Sequence, residues 1–385
     1  MWKKGHIMNC SRRTANIDGS MICNSEKILL HDFFALMKNA APSSSILICF
    51  GTRPEVIKLA PVIKELTARG ISFRTLFTGQ HDELFSDVAD LIPEPDIDLE
   101  IMEREQTPSD VFEAVSNRVA PILRSELPGL VIVQGDTSTA AAVAQAAFNE
   151  GITIGHVEAG LRTYDLESPR PEEHNRQLIS KIAHFNWAPT ETAARNLQKE
   201  GVSNVVVTGN TVIDSCSRYD FPISYRNKVL VTLHRRENFG DRMESMFRQL
   251  DKLAVEHSNL EFIFPIHPNP QVQRHRDLLG SLNVVQPLQY LALLKLLSDV
   301  RFVISDSGGI QEECAVFHKK VLVCRDKTER PEGVAVGLAK VVGTDIAGNF
   351  AWANDSPEWE GENPYGDGNA AERIVDSIVD SSYAS

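Results

Sequence analysis

From Ile46 onward, short apolar runs alternate with longer stretches in which apolar residues return every three or four positions. Runs at 46–50, 72–77, 130–133, 152–157, 184–188 and 204–208 read as buried strands, and 54–68 and 138–148 read as the helices between them. A polar, proline-containing stretch at 214–227 reads as a linker. A second alternation then begins, with strands at 229–233, 261–265, 284–286, 302–305, 321–323 and 340–342 and a helix at 243–256. Short apolar strands separated by helices signal parallel sheets. The expected fold class is therefore α/β: two Rossmann-like domains with an active-site cleft between them. The expected boundaries are an extension at 1–43, a first domain at 44–213 and a nucleotide-binding second domain at 224–365. The extension carries a short helix at 26–38 and leads into a linker at 41–45. A C-terminal segment, 366–383, contains a last helix at 369–380 that packs back on the first domain.

Chemistry concentrates between Gly155 and Arg176, where Gly-His-Val-Glu-Ala-Gly-Leu-Arg-Thr is followed by Ser-Pro-Arg-Pro-Glu-Glu-His-Asn-Arg. Glu158 follows a β-branched run and so falls at the C-terminal end of a strand, where open α/β sheets collect ligands. Pro171 suits a first helical turn, which puts Glu172 and Glu173 at a helix N-terminus. Carboxyl groups in unlike environments can have their pKa values pushed apart, as acid/base work requires. The competing reading is that these glutamates cap the helix and pair with Arg162, Arg170 and Arg176.

Three strand-to-helix turns carry further candidates. Gly51-Thr52-Arg53-Pro54-Glu55, with Lys58 one turn on, offers backbone N–H groups and a guanidinium to an anion. Gly135-Asp136-Thr137 repeats the geometry, and Asp136 serves there either as a helix cap or as a catalytic carboxylate. Ser305-Asp306-Ser307-Gly308-Gly309 is the strongest: paired glycines let amides cradle a phosphate, Ser307 adds a hydroxyl, and Glu313 is placed to accept from a ribose diol. Arg325, Lys327 and Arg330 follow the next strand as three cations beside that cradle. His234 closes the first strand of the second alternation and faces the cleft, as a neutraliser of diphosphate charge or a proton carrier. The competing reading of each is an ordinary turn or a structural histidine.

Bulk properties narrow the class. A net charge of −13, from 39 basic and 52 acidic residues, argues against nucleic-acid or membrane-surface binding, so an anionic substrate needs a local cationic site. The six cysteines make no CxxC or zinc-like spacing, and no apolar run reaches membrane-span length. The expectation is a cytoplasmic protein with reduced thiols. Gly366-Asp367-Gly368 follows Asn-Pro-Tyr instead of a strand, so no dinucleotide fingerprint is present and neither a cofactor nor a metal is expected.

Taken together, Phe-Gly-Thr-Arg-Pro-Glu, Gly-Asp-Thr, His-Val-Glu-Ala-Gly-Leu-Arg-Thr, Pro-Glu-Glu, His-Arg-Arg-Glu, Asp-Ser-Gly-Gly-Ile-Gln-Glu-Glu and Thr-Glu-Arg-Pro-Glu resemble the non-hydrolysing UDP-N-acetylglucosamine 2-epimerases, which have the GT-B fold. The resemblance runs from about Ile46 to the end. It implies catalytic roles for Asp136, Glu158, Glu172 and His234, and substrate contacts from Arg53, Lys58, Ser307, Gly308, Gly309, Glu313 and Arg330. Gln80 and Arg104 match a second, allosteric site, whereas Glu83 departs from it. Leu288 and Leu293 depart from the uracil-side pattern, and Gln134 stands where many members have histidine. The implied reaction is anti elimination of UDP to 2-acetamidoglucal and re-addition, giving UDP-N-acetylmannosamine for cell-surface polysaccharide, without a redox cofactor. UDP-N-acetylglucosamine and UDP are then the partners, and a homodimer the assembly. A GT-B glycosyltransferase, a hydrolysing 2-epimerase and an inactive nucleotide-sugar sensor are the alternatives. Three clustered acids exceed what a transferase needs, and a pure binder gains nothing from desolvated carboxylates beside a diphosphate.

Overall fold

In a computed structural model, residues 43–79, 88, 91–101 and 106–381 are described. The helix expected at 26–38, together with Gln80, Glu83 and Arg104, lies outside them. Seven parallel strands form the first sheet: β1 (Ser43–Phe50), β2 (Phe73–Phe77), β3 (Ile97–Asp98), β4 (Pro128–Gln134), β5 (Thr153–Val157), β6 (Phe185–Ala188) and β7 (Val205–Val207). Their order is β3-β2-β1-β4-β5-β6-β7. Six more, β8 (Lys228–Thr232), β9 (Glu261–Pro265), β10 (Asn283–Val285), β11 (Phe302–Ser305), β12 (Val321–Val323) and β13 (Ala339–Val341), form a second parallel sheet in the order β10-β9-β8-β11-β12-β13. Both are doubly wound. Each reverses direction beside its first strand, between β1 and β4 in one and between β8 and β11 in the other.

The strands are apolar on both faces because helices cover both, as in Leu130, Val131, Ile132 and Val133 of β4, all buried. Helix Arg53–Ala68 carries Val56, Leu59, Ala60, Ile63 and Leu66 into the core, and helix Ala370–Asp380 packs against it through Ile374, Val375 and Ile378. Among the described residues no helix is long and apolar enough to cross a membrane.

Three expectations need correction. Residues 43–45 belong to β1 and not to a linker. Helix Thr211–Cys216 takes up the start of the stretch read as linker; Asn210 caps it by accepting from the Val212 N–H. Helix Pro108–Glu126 was not anticipated, although Thr107 and Asp110 form a reciprocal capping box and Val111, Val115, Val119 and Leu123 recur at fourfold spacing.

Candidate active site

The C-terminal ends of β1, β4 and β5 carry the first set of groups. Helix Arg53–Ala68 starts on the turn after β1 and points Lys58 inward, where its ammonium pairs with Glu158 and, at 2.9 Å, with Glu312. Glu158 follows β5 directly and holds the left-handed conformation, φ +68°. A non-glycine residue there costs on the order of 1 kcal/mol, and such strain gathers where a side chain must be aimed. The Gln134 amide donates to one Glu158 oxygen, and Asn210 donates to the other at 3.3 Å. Burial opposes ionisation of Glu158, but the Lys58 ammonium and then the Arg330 guanidinium outweigh it and hold the carboxyl at about 2.

Asp136 does not cap the helix after β4. That role falls to Thr137, which accepts from the Ala140 N–H, while the Asp136 carboxylate takes the Arg176 Nε–H at 2.9 Å and faces the cleft. The paired acids of the next helix, Glu172–Ile182, separate in function. Glu173 is fully buried and accepts from the Thr163 and Tyr164 N–H groups at 3.0 Å, so it fastens a loop, as the structural reading held. Glu172 lines the cavity instead. Burial, and then the Asp136 charge, push its carboxyl above the usual range, and its Oε2 is buried without a hydrogen-bond partner. Two carboxyls with opposite displacements therefore face one space.

The second sheet supplies an anion grip. Asp306 accepts from the His234 and Arg235 N–H groups and from the Asn238 amide, which ties the turn after β8 to the turn after β11. The His234 ring stacks on His267 with centroids 5.2 Å apart. Helix Gly308–Val316 begins without a side-chain cap from Ser307, so its first N–H groups remain available to a ligand. A Cβ at 308 would stand 2.5 Å from Arg330 Nη1, so a side chain there would displace the guanidinium, and a Cβ on Gly309 would meet open space. The Arg330 guanidinium lies against that bare backbone, bonded to Glu312 at 2.6 Å, to Glu329, and 3.5 Å from Glu158. Of the three cations expected beside the cradle, Arg330 alone lines the cavity. Arg325 is buried against Glu329 at 2.8 Å and Glu237 at 3.2 Å, and Lys327 pairs with Asp165 at 2.9 Å. Burial pushes Glu313 up to about 7 against the opposing charge of Arg53.

A single cavity of about 420 Å³ is lined by Arg53, Lys58, Asp136, Glu158, Glu172, His234, Ser307, Gly308, Gly309, Glu313 and Arg330, which is every site residue expected from the sequence among the described residues. Its size suits one small ligand. Sequence reasoning missed Glu312, which neutralises Lys58 and Arg330 together, and Glu55, which is fully buried beneath the turn it belongs to. Both stood in motifs already singled out, but a partner contributed by another element leaves no local signal.

Comparison with known proteins agrees with this geometry. A sequence model of the family described as UDP-N-acetylglucosamine 2-epimerase matches residues 64–379. The chain is similar to the UDP-N-acetylglucosamine 2-epimerase of Salmonella borreze, 40% identical over 371 residues, 87% of this chain and 98% of the relative. It is 38% identical to that of Escherichia coli over 368 residues, covering 86% and 98%. Among solved structures, the Neisseria meningitidis UDP-GlcNAc 2-epimerase bound to UDP-GlcNAc superposes with a TM-score of 0.81 at 37% identity, covering 87% of this chain and all of that one. The Methanocaldococcus jannaschii enzyme in complex with UDP-GlcNAc and UDP gives 0.78 at 30%, covering 87% and 99%. Doubly wound parallel sheets of GT-B type, an acid-lined crevice and this breadth of likeness carry one conclusion: the chain belongs to the UDP-N-acetylglucosamine 2-epimerase family.

Proposed function

We propose that this protein interconverts UDP-N-acetylglucosamine and UDP-N-acetylmannosamine by elimination and re-addition of UDP. The C2 proton passes to a carboxylate as the C1–O bond breaks and UDP leaves with the bonding electrons, giving 2-acetamidoglucal. A proton then returns to C2 on the opposite face while a UDP oxygen re-forms the bond to C1. Each half-reaction needs a carboxyl in a different state, and the pair Glu158 and Glu172 supplies one held ionised and one pushed toward the neutral form. Asp136, anchored by Arg176, is the third candidate for proton transfer.

Departure of UDP is the harder demand, because the C2 proton is only weakly acidic. Negative charge grows on the leaving diphosphate, and the Ser307–Gly309 turn, Arg330 and His234 are preorganised to receive it. Arg53 and Lys58 close the opposite wall, and Glu313 serves the ribose hydroxyls. The observation that carries the reading is the facing of differently tuned carboxyls and an uncapped, glycine-opened helix start across one cavity. A homodimeric assembly and a cytoplasmic setting rest on the family resemblance.

The test is to incubate the protein with UDP-N-acetylglucosamine alone and follow the anomeric signals by NMR. Accumulation of UDP-N-acetylmannosamine at equilibrium supports the proposal. Release of free N-acetylmannosamine with UDP identifies a hydrolysing enzyme, and inertness until an acceptor is added identifies a transferase.

A further inference from the structure

Among the fully buried carboxyls that take no part in the mechanism above, Glu55 joins two turns of the crevice. Glu55 has no exposed surface, yet its two oxygens collect three donors from two turns. Oε2 accepts from the Gly51 N–H at 3.1 Å and the Thr52 hydroxyl at 2.7 Å, and Oε1 accepts from the Thr137 hydroxyl at 2.8 Å. Gly51 and Thr52 lead into Arg53 after β1, and Thr137 follows Asp136 after β4. These two strands are neighbours at the point where the first sheet reverses direction. The carboxyl thus sits under the crevice and bridges the turn that carries the wall cation Arg53 to the turn that carries the proton-transfer acid Asp136.

We propose that Glu55 is a positioning residue that, in its ionised form, locks the Gly51–Thr52–Arg53 turn to the Gly135–Asp136–Thr137 turn and so fixes Arg53 and Asp136 relative to the bound sugar nucleotide. The inference rests on the epimerase reading of the site and adds to it a control on the geometry. Only the ionised carboxylate can accept from all three donors at once. Protonation of Glu55 removes acceptor capacity from one oxygen. The Gly51 N–H can only donate, so the bond to the Thr52 or Thr137 hydroxyl must reverse. A hydroxyl oxygen with two lone pairs allows this even while Thr137 accepts from the Ala140 N–H at 2.9 Å. Burial drives the carboxyl up, the bonds from Thr52, Thr137 and Gly51 draw it down, and the balance falls at about 7. The titratable group that feels the Glu55 charge is Cys49 on β1, whose thiol is raised by burial and then by that charge. Arg53 and Lys58 lie on the same helix as Glu55, and Asp136 precedes its partner Thr137 and is paired with Arg176 of helix Glu172–Ile182. The lock accordingly weakens as pH falls through neutrality, because charge-assisted bonds to the carboxylate give way to neutral ones.

The experiment measures kcat and KM for epimerisation between about pH 6 and 8 in wild type, Glu55→Gln and Thr52→Val, with thermal unfolding of each. Wild type is expected to lose kcat on the acid side of a limb near 7. Glu55→Gln is expected to lower kcat on the order of tenfold to a hundredfold and to abolish the limb owed to this carboxyl, because the turns drift and position 55 no longer titrates. Thr52→Val removes one donor to the ionised form and is expected to move the limb to higher pH. It keeps the inference testable if the glutamine variant does not fold. An unmoved limb in either folded variant, or a wild type flat across this range, overturns the positioning role. A wild type that makes no UDP-N-acetylmannosamine at any pH overturns the epimerase reading itself, and this inference with it.

Discussion

The two halves of the molecule share an architecture and differ in what they present at the same place. At the reversal of the first sheet every acid is engaged or enclosed: Glu158 is held by Lys58, Gln134 and Asn210, Asp136 by Arg176, and Glu55 by three donors. At the reversal of the second, the corresponding turn is left bare, with no cap from Ser307 and two glycines where side chains would stand. One half fixes proton-transfer groups in set charge states, and the other keeps backbone donors open for an anion. The comparison teaches that a doubly wound sheet dictates where chemistry happens, while the turn residues decide which chemistry it is.

Substitutions on either side should separate these duties. The largest effect is expected from Glu158→Gln, which keeps the shape of the side chain and removes its charge. Solvent deuterium incorporation at C2 should fall by about 10²–10⁴-fold while UDP still binds, and unchanged incorporation would refute a role in proton transfer. On the other side, Arg330→Ala should weaken UDP binding by roughly 10- to 100-fold, the worth of a charge-assisted contact, and lower thermal stability because Glu158, Glu312 and Glu329 lose a shared cation. An unaltered affinity for UDP, read by calorimetry, would remove Arg330 from the grip. Gly308→Ala should act more mildly, on the order of tenfold in UDP affinity, by pushing the guanidinium off its seat 2.5 Å from the new methyl.

The last effect concerns stability and pH. Glu313 titrates at about 7 in the folded protein, above its ordinary value in an unfolded chain. Between those two values the fold binds more protons than the unfolded chain, so stability falls as pH rises through that window and stays lower above it. Glu313→Gln should therefore gain on wild type at pH 8 relative to pH 5. The gain should be roughly 2 kcal/mol between these pH values, the attraction to Arg53 being already contained in the value of about 7. Melting curves of both proteins at the two pH values read it directly, and an equal difference at both would show that burial does not govern this carboxyl.

Much of this arrangement was legible in the chain because it is local. Strands at Glu261–Pro265, Phe302–Ser305 and Val321–Val323 begin and end where the apolar runs do, since a strand covered on both faces needs continuous hydrophobicity. Glycine and proline punctuation marked the turns after β1, β4 and β11. β3 has two residues, too few to show any period. The separation of Glu172 from Glu173 could not be read, because adjacent helical residues look alike in sequence until the loop at Thr163 and Tyr164 takes one of them. The sharing of Glu312 between Lys58 and Arg330 is likewise a product of tertiary packing, as is the burial of Arg325 away from the cavity.

The division of labour is tested most directly by a crystal structure of this protein with UDP bound. The diphosphate should rest on the Ser307–Gly309 backbone within hydrogen-bond reach of Arg330, with Asp136, Glu158 and Glu172 turned toward the space beyond the β-phosphate where the sugar would lie. Phosphates seated away from Ser307, or those three carboxyls directed out of that space, would contradict it.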